Sequence, residues 1–224
     1  MLVAEVAPSV ILRATVVIIG LGLWYLTQAL LRYRPDGTGY LGDGLHTLTA
    51  GVNKHLRSHP RHADLLLAIS SFCIDILGCF VLAYGIFGPS FRPFVGLLII
   101  FFLRQVCQAL CALPPPEGMI WRSPGVPTLL VTYGTANDLF FSGHTALAVY
   151  GSIELANWGG PGWALVGVGI GLFEVVTVIV LRAHYTLDVF AGAVTAFAAA
   201  VVATWIAPSC DRWLVELGSL IGLG

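Results

Sequence analysis

The sequence predicts an all-α, polytopic membrane protein built as a six-helix bundle. Of its 224 residues, 57% are hydrophobic and only 10% are charged, and the mean hydropathy is +0.87. Soluble domains are roughly 45–50% apolar and about 25% charged, so this composition excludes a soluble domain and a disordered chain. The net charge of −1 provides no basic surface for nucleic acid.

Six windows contain the roughly 20 mostly apolar residues that a membrane-spanning helix needs. The first window lacks the preceding basic residues of a signal peptide and is long enough to span, so we interpret it as a membrane anchor. No linker marks a second unit, and residues 1–224 are therefore predicted to form a single membrane domain. The predicted spans are about 10–31, 65–88, 91–111, 139–157, 161–181 and 186–207.

Two longer polar connections, Arg32–Asp64 and Pro114–Asn137, separate spans one and two and spans three and four. All odd-to-even connections of a bundle lie on one side of the membrane, and here that side collects the ionisable residues. The opposite side is predicted to have short, nearly featureless turns. Ionisable residues that converge at one face of a bundle indicate a functional site. The residues gathered there are Glu117, Asp138, His144, His184 and Asp188.

Cysteines and additional histidines give weaker signals. Four of the five cysteines lie in apolar segments without CxxC spacing, which is typical of small core residues rather than of a disulfide or zinc framework. Four histidines crowd the first polar connection, and we interpret them as a solvated or interfacial face. A pH-sensitive or metal-binding role for them stays open. They are His46, His55, His59 and His62.

His184 and Asp188 are four residues apart, and so lie on the same face of a helix. A carboxylate there can accept a hydrogen bond from one ring nitrogen and leave the other as a nucleophile. A second histidine, His144, supplies a general acid for a leaving oxygen. The alternatives are histidines that merely lie in the headgroup zone, or a metal site that includes Asp138. No HExxH-type spacing is present, so no metal is expected.

Three motifs resemble those of the sphingomyelin synthase-like branch of the lipid phosphatase (PAP2) superfamily. They are Asp138-Leu-Phe-Phe-Ser-Gly-His-Thr, His184-Tyr-Thr-Leu-Asp-Val, and Arg104 followed by Leu113-Pro-x-Pro. Arg182, two residues before His184, resembles the Arg-Gly-His-Tyr-Thr of the plant phosphatidylcholine:diacylglycerol cholinephosphotransferases. The Lys-x6-Arg-Pro, Pro-Ser-Gly-His and Ser-Arg-x5-His motifs of the phosphatases are not matched. The resemblance covers about 91–207, the predicted catalytic core.

This resemblance implies a phosphotransferase without a cofactor, which moves phosphocholine or a similar head group from a glycerophospholipid to a lipid alcohol such as ceramide or diacylglycerol. His184 would form a phospho-histidine, His144 would protonate the departing oxygen, Asp138 would tune His144, and Glu117 would assist at the entrance. Substrate-binding roles are assigned to Arg104, Arg122, Arg182, Ser142, Gly143 and Tyr185. Aromatic faces for a choline cation, or for an interfacial belt, are Trp121, Tyr133, Phe140 and Tyr185.

Several alternatives stay open. A lipid phosphate phosphatase would use water instead of the acceptor, and a transporter or scaffold would use no chemistry. Five cations in the first connection put the site in the cytoplasm, whereas the resemblance puts it on the lumenal or outer face. We expect a multi-pass protein of the ER or Golgi if the source is eukaryotic, and of the inner membrane if it is bacterial. A homo-oligomer is an open alternative to a monomer.

Arg104 and Glu174 each lie seven residues before the end of a span that runs toward the catalytic face. Both are therefore about 10 Å below that surface. A charge at this depth needs a partner or a water-filled cavity. We expect that an Arg104–Glu174 pair, or Arg104 alone, forms the floor of the head-group cavity beneath the histidines, and the alternative is a purely structural Arg104–Glu174 ion pair.

Overall fold

The computed structural model describes residues 9–31, 39, 41–133 and 139–222, and the regular structure in these residues is entirely helical. Asp138, one of the predicted site residues, lies outside the described part of the chain. The helices are α1 (Val10–Leu31), α2 (Gly44–Leu48), α3 (Ala50–Ser58), α4 (Pro60–Phe87), α5 (Arg92–Leu110), α6 (Gly143–Gly159), α7 (Pro161–Val180) and α8 (Thr186–Leu220).

Five of these helices, α1, α4, α5, α7 and α8, are long and apolar enough to cross a membrane. They correspond to five of the six predicted spans, and they make the chain an integral membrane protein. The remaining predicted span, 139–157, contains α6, which has 17 residues. At 1.5 Å per residue α6 is about 26 Å long, shorter than the roughly 30 Å hydrocarbon core. The count of six spans therefore stays a prediction.

Helix ends differ from the predicted boundaries where local capping decides them. α4 begins at Pro60, five residues before the predicted 65, because proline is well suited to the first helical turn. α8 has 35 residues and continues through Pro208 to Leu220, which gives it a length of about 52 Å. The helix therefore extends well beyond the predicted end at 207.

The side of the bundle opposite the ionisable cluster is not featureless, contrary to the prediction. The Asp211 carboxylate, in the extension of α8, accepts hydrogen bonds from Ser90 Oγ at 2.7 Å and from the Phe91 backbone N–H at 2.9 Å. Arg92 donates two hydrogen bonds to Glu154, at 2.8 and 2.6 Å. These contacts hold the start of α5 to α6 and α8, and those of Asp211 stabilise the part of α8 that lies beyond the predicted span.

α6 is the central helix and contacts α4, α5, α7 and α8. Its middle residues Ala146, Ala148 and Tyr150 are fully buried. The surrounding helices turn large apolar side chains outward, for example Leu172 and Trp205, as expected of surfaces that face lipid. The start of α6, which carries His144, is thus enclosed by the bundle.

Part of the connection between α5 and α6 reaches into the bundle, since Leu130 and Val131 are buried whereas Leu129 is exposed. Asp75 in α4 accepts hydrogen bonds from the backbone N–H groups of Leu129 and Leu130, both at 2.8 Å, and the Tyr25 hydroxyl donates to the Leu129 carbonyl. Asp75 lies eleven residues after Asp64 in α4, or about 16 Å deeper. This segment therefore forms an inner wall of the bundle.

Candidate active site

His144 and His184 line one cavity of about 40 Å³, together with Arg104. Trp121 and Leu130, from the connection that enters the bundle, form part of its wall. The two histidines meet because the helices that carry them begin side by side. The Ser142 backbone N–H donates to the Asp188 carbonyl at 3.1 Å, which ties the start of α6 to the first turn of α8.

The hydrogen-bond partner of His184 determines which of its ring nitrogens carries the proton. The residue is 4% exposed, and its Nδ1 lies 2.8 Å from the Leu139 carbonyl oxygen. A carbonyl can only accept a hydrogen bond, so Nδ1 carries the proton and Nε2 carries the lone pair. Nε2 is therefore the nitrogen with nucleophilic character.

Asp188 does not make the hydrogen bond to His184 that the spacing predicts. The distance from His184 Nδ1 to Asp188 Oδ2 is 3.8 Å, which is too long for a hydrogen bond. Asp188 Oδ2 instead accepts the Tyr185 backbone N–H at 2.9 Å, because Asp188 is at the third position of α8 and closes its capping box. Asp188 is fully buried, so its charge still acts electrostatically on the adjacent imidazole.

His144 is the second residue of α6, whose N-cap is Ser142. Its ring lies against Trp121, with ring centroids 5.1 Å apart, and its Nε2 has no hydrogen-bond partner among the described residues. This nitrogen is available to a substrate. Ser142, which was assigned to substrate binding, is occupied as a cap: its Oγ accepts from the Thr145 N–H at 3.2 Å, and it does not line the cavity.

Arg104 lies in the cavity wall, but its predicted partnership with Glu174 was wrong. Arg104 Nε donates to the Phe141 carbonyl at 3.2 Å. Glu174 accepts a hydrogen bond from Ser70 Oγ at 2.6 Å, because α7 packs on α4 and α6. Equal depth therefore does not bring these two side chains together. Gly143 also lines the cavity, and a Cβ there would lie 2.8 Å from Arg104 Nε.

The other predicted substrate-binding residues lie outside this cavity. Arg122 pairs with Asp64 at 2.6 Å in a largely exposed ion pair. Arg182 donates to the Glu117 carbonyl at 2.5 Å. Arg182, Glu117 and Tyr185 line a second pocket of about 220 Å³, which also includes residues of α2. The structure thus divides the predicted set between a catalytic cavity and a polar pocket beside it.

Two residues of the first connection support the catalytic segment and were missed in the sequence. His46 Nε2 donates to the His184 carbonyl at 3.0 Å, and His46 is 7% exposed rather than solvated. By contrast, His55, His59 and His62 lie exposed in one stacked group, as predicted for that face. An Asp-Gly pair before an apolar segment is an N-cap signal that could have indicated Asp43.

The Asp43 carboxylate joins α2 to the start of α8. It accepts from the Leu45 and His46 N–H groups at 2.9 and 3.2 Å, and from the Thr186 N–H and hydroxyl at 2.6 and 2.7 Å. Partial burial raises the pKa of Asp43, but the hydrogen bonds from Thr186 and His46 outweigh it, so the pKa lies below its ordinary value. Asp43 is therefore the charged N-cap of α2 and also binds Thr186, the first residue of α8.

Comparison with known proteins assigns the chain to a family. The model of the AtPDCT1/2 family matches residues 43–205, a range that begins at Asp43 and contains every titratable side chain of the cavity. The chain is also 22% identical over 173 residues to phosphatidylcholine:diacylglycerol cholinephosphotransferase 1 of Arabidopsis thaliana, covering 77% of this chain and 54% of that protein. The chain thus aligns with about half the length of this relative. No solved structure matches. Since the family model covers most of the chain, the protein belongs to the AtPDCT1/2 family.

Proposed function

We propose that this protein is a membrane phosphotransferase that moves phosphocholine from phosphatidylcholine to diacylglycerol through a phospho-histidine at His184. The observation that carries the proposal is the cavity shared by His184, His144 and Arg104. The name of the Arabidopsis relative supports the choice of donor and acceptor. The motifs support a place in the sphingomyelin synthase-like branch of the lipid phosphatase superfamily, which makes ceramide the second acceptor to test.

In the first half of the reaction, His184 Nε2 attacks the phosphorus of the donor. The bond from phosphorus to the glycerol oxygen breaks, and protonated His144 gives its proton to that oxygen. Diacylglycerol leaves, and phosphocholine stays on His184. Arg104 is the cation beside this cavity, and its guanidinium offsets the charge of the phosphate oxygens. The buried Asp188 carboxylate offsets the positive charge that develops on the His184 ring.

In the second half, neutral His144 takes the proton of the acceptor hydroxyl while that oxygen attacks phosphorus. The bond to His184 Nε2 breaks, so the ring regains its lone pair and His144 regains its proton. The apolar wall of Trp121 and Leu130 limits water around the intermediate, which favours transfer over hydrolysis. A lipid hydroxyl in that position leads to a new phospholipid.

The remaining assignments belong to the same proposal. Asp138 tunes His144, and Glu117, which lines the polar pocket, assists at the entrance for the head group. Tyr185, also in that pocket, is a face for the choline cation. The proposed location is a multi-pass position in the ER or Golgi of a eukaryote or in the inner membrane of a bacterium.

The experiment uses the purified protein in nanodiscs with phosphatidylcholine labelled in its head group. Diacylglycerol and ceramide, each with distinguishable chains, are supplied separately as acceptors. The expected result is label in new phosphatidylcholine carrying the acceptor chains. Label found only as free phosphocholine would show that the protein is a hydrolase rather than a transferase.

Variants test the roles of the two histidines. His184→Ala should abolish transfer. His144→Ala should lose transfer from phosphatidylcholine but still form a covalent adduct with a donor that has an activated leaving group, since such a group needs no proton. His59→Ala is the matched control, because His59 is exposed on the same face and outside the cavity. Substantial transfer by His184→Ala would remove the nucleophile assignment.

A further inference from the structure

An apolar groove of about 460 Å³ runs between α1 and α5 on the outside of the bundle. On α1 it extends from Gly20 to Leu31, and on α5 from Leu98 to Ala109. Each stretch covers eleven steps along a helix, or about 16 Å. One leaflet of the hydrocarbon core is about 15 Å deep, so the groove has the length of one leaflet.

The groove and the catalytic cavity share a wall. Trp24 and Phe101 line both of them, and their rings stack with centroids 4.9 Å apart. The cavity itself, at about 40 Å³, has room for only a few water-sized groups. A phosphoryl group is of that size, whereas the rest of a phospholipid must lie outside the cavity, next to an opening in its wall.

The groove also contains polar atoms that a purely lipid-facing surface does not need. Gln105 lines it, and neither atom of the Gln105 side-chain amide has a hydrogen-bond partner in the described residues. The same holds for the Trp24 indole N–H. An unpaired amide in hydrocarbon costs several kcal/mol. These atoms are buried in the wall of the groove, and a rotation of the Gln105 side chain into the groove would bring its amide to the ester carbonyls and hydroxyl of a bound glycerolipid.

A second outer groove shows that these features are specific. The groove between α6, α7 and α8 has about 330 Å³ and is equally apolar, with Val168 and Phe197 in its wall. It shares no lining residue with the catalytic cavity. The hydroxyl of its polar lining side chain, Ser152, lies within hydrogen-bond distance of the Ala148 and Gly167 carbonyl oxygens, at 2.6 and 2.7 Å, so its one proton already has an acceptor. A groove that holds only bulk lipid is expected to look like this one.

We infer that the α1–α5 groove is the binding site for the diacylglyceryl group of the substrates, an inference that rests on the proposed function. The donor places its diacylglyceryl group in the groove with its phosphate in the cavity. After the head group has moved to His184, the same groove holds the departing diacylglycerol or a new one. Donor backbone and acceptor are chemically identical, so one groove serves both half-reactions in turn.

The test places a bulky side chain in the α1–α5 groove and compares its effect on KM with that of the same side chain in the second groove. Val106→Trp places an indole in the α1–α5 groove, and Val168→Trp, the matched control, places one in the α6–α8 groove. We expect Val106→Trp to raise the KM for phosphatidylcholine and for diacylglycerol by about tenfold each, with kcat largely unchanged, whereas Val168→Trp leaves both KM values as in the native protein. Gln105→Leu, which keeps the shape and removes the amide, should raise both by about fivefold.

Photolabelling provides a measure that does not depend on turnover. A photoreactive diacylglycerol and a photoreactive phosphatidylcholine should both label peptides of α1 and α5, each should displace the other, and Val106→Trp should lose the label. Labelling at α1 and α5 without any transfer would support the groove and refute the proposed function. Transfer by the native protein, with KM values and labelling unchanged in both Val106→Trp and Gln105→Leu, would overturn the groove.

Discussion

Asp43→Ala should reduce turnover although Asp43 lies outside the catalytic cavity. The substitution removes the four hydrogen bonds that the carboxylate accepts within the described part of the chain, two in α2 and two from Thr186 at the start of α8. His184 is two residues before Thr186, and its carbonyl is held by His46 of α2. The loss therefore removes one support of the segment that carries the nucleophile, the bonds from Thr186, and weakens a second, the His46 contact, because α2 loses its cap.

The size of the effect follows from the contacts. Loss of the N-cap of α2 costs about 1 kcal/mol, and loss of the hydrogen bonds from Thr186 adds about 1 kcal/mol more, so the local cost is about 2 kcal/mol. A displacement of a catalytic group by about 1 Å can lower the rate about 100-fold. We expect kcat to fall between about 10- and 100-fold, with KM for both lipids little changed. The kcat of Asp43→Asn should lie between those of the native protein and of Asp43→Ala, because the asparagine amide oxygen still accepts hydrogen bonds.

The assay is head-group transfer in nanodiscs, with kcat and KM determined separately. Asp64→Ala is the control, since this carboxylate lies on the same face but pairs with Arg122 away from α8. An unchanged kcat in Asp43→Ala, or an equal loss in Asp64→Ala, would refute the positioning role.

The lowered pKa of Asp43 adds a dependence on pH. Its stabilisation should be complete above the ordinary carboxyl value of about 4, and should disappear as the pH falls through the lower folded value. Thermal unfolding from pH 7 to pH 3 should show this loss in the native protein and not in Asp43→Ala.

Three further outcomes are expected. Gly143→Ala should lower kcat about tenfold or more, because its Cβ would lie 2.8 Å from Arg104 Nε; Gly162→Ala, which meets open space, should leave transfer unchanged. Glu154→Gln breaks the buried pair with Arg92 and should cost about 3 kcal/mol, measured as a lower Tm in detergent, with normal transfer per folded molecule. Chelators should leave transfer unaffected, because the proposed proton transfers use His144 and no metal-bound water; loss of transfer with EDTA and recovery with a divalent ion would contradict the metal-free mechanism.

The membrane class was predictable because hydropathy adds up over about 20 residues and tolerates local errors. Helix boundaries were less predictable, since they depend on single capping residues such as Pro60. The extension of α8 past Pro208 depends on a tertiary contact, the hydrogen bonds of Asp211 to Ser90 and Phe91. No window of hydropathy contains that information.

The residues of the cavity were likewise predictable only in part. Motifs predicted that His144 and His184 would meet, and the structure places both in one cavity with Arg104. The Arg104–Glu174 pair failed because depth along a helix says nothing about which helices are neighbours. The contacts of Asp43 with Thr186 and of His46 with His184 were missed because each spans more than 130 residues of sequence, so no local pattern connects them.

The hydrogen bond on His184 illustrates why residue types alone could not predict the arrangement. A spacing of four residues favours a His–Asp contact on one face of a helix, but His184 lies before α8 begins, where the backbone is not helical. Asp188 is then in the right place to cap Tyr185, and the Nδ1 proton goes to the Leu139 carbonyl. Every residue has a carbonyl, so this acceptor leaves no trace in the sequence. It follows that Asp188→Asn should keep the His184 tautomer, because the carbonyl holds it, and should act on transfer only through the lost charge.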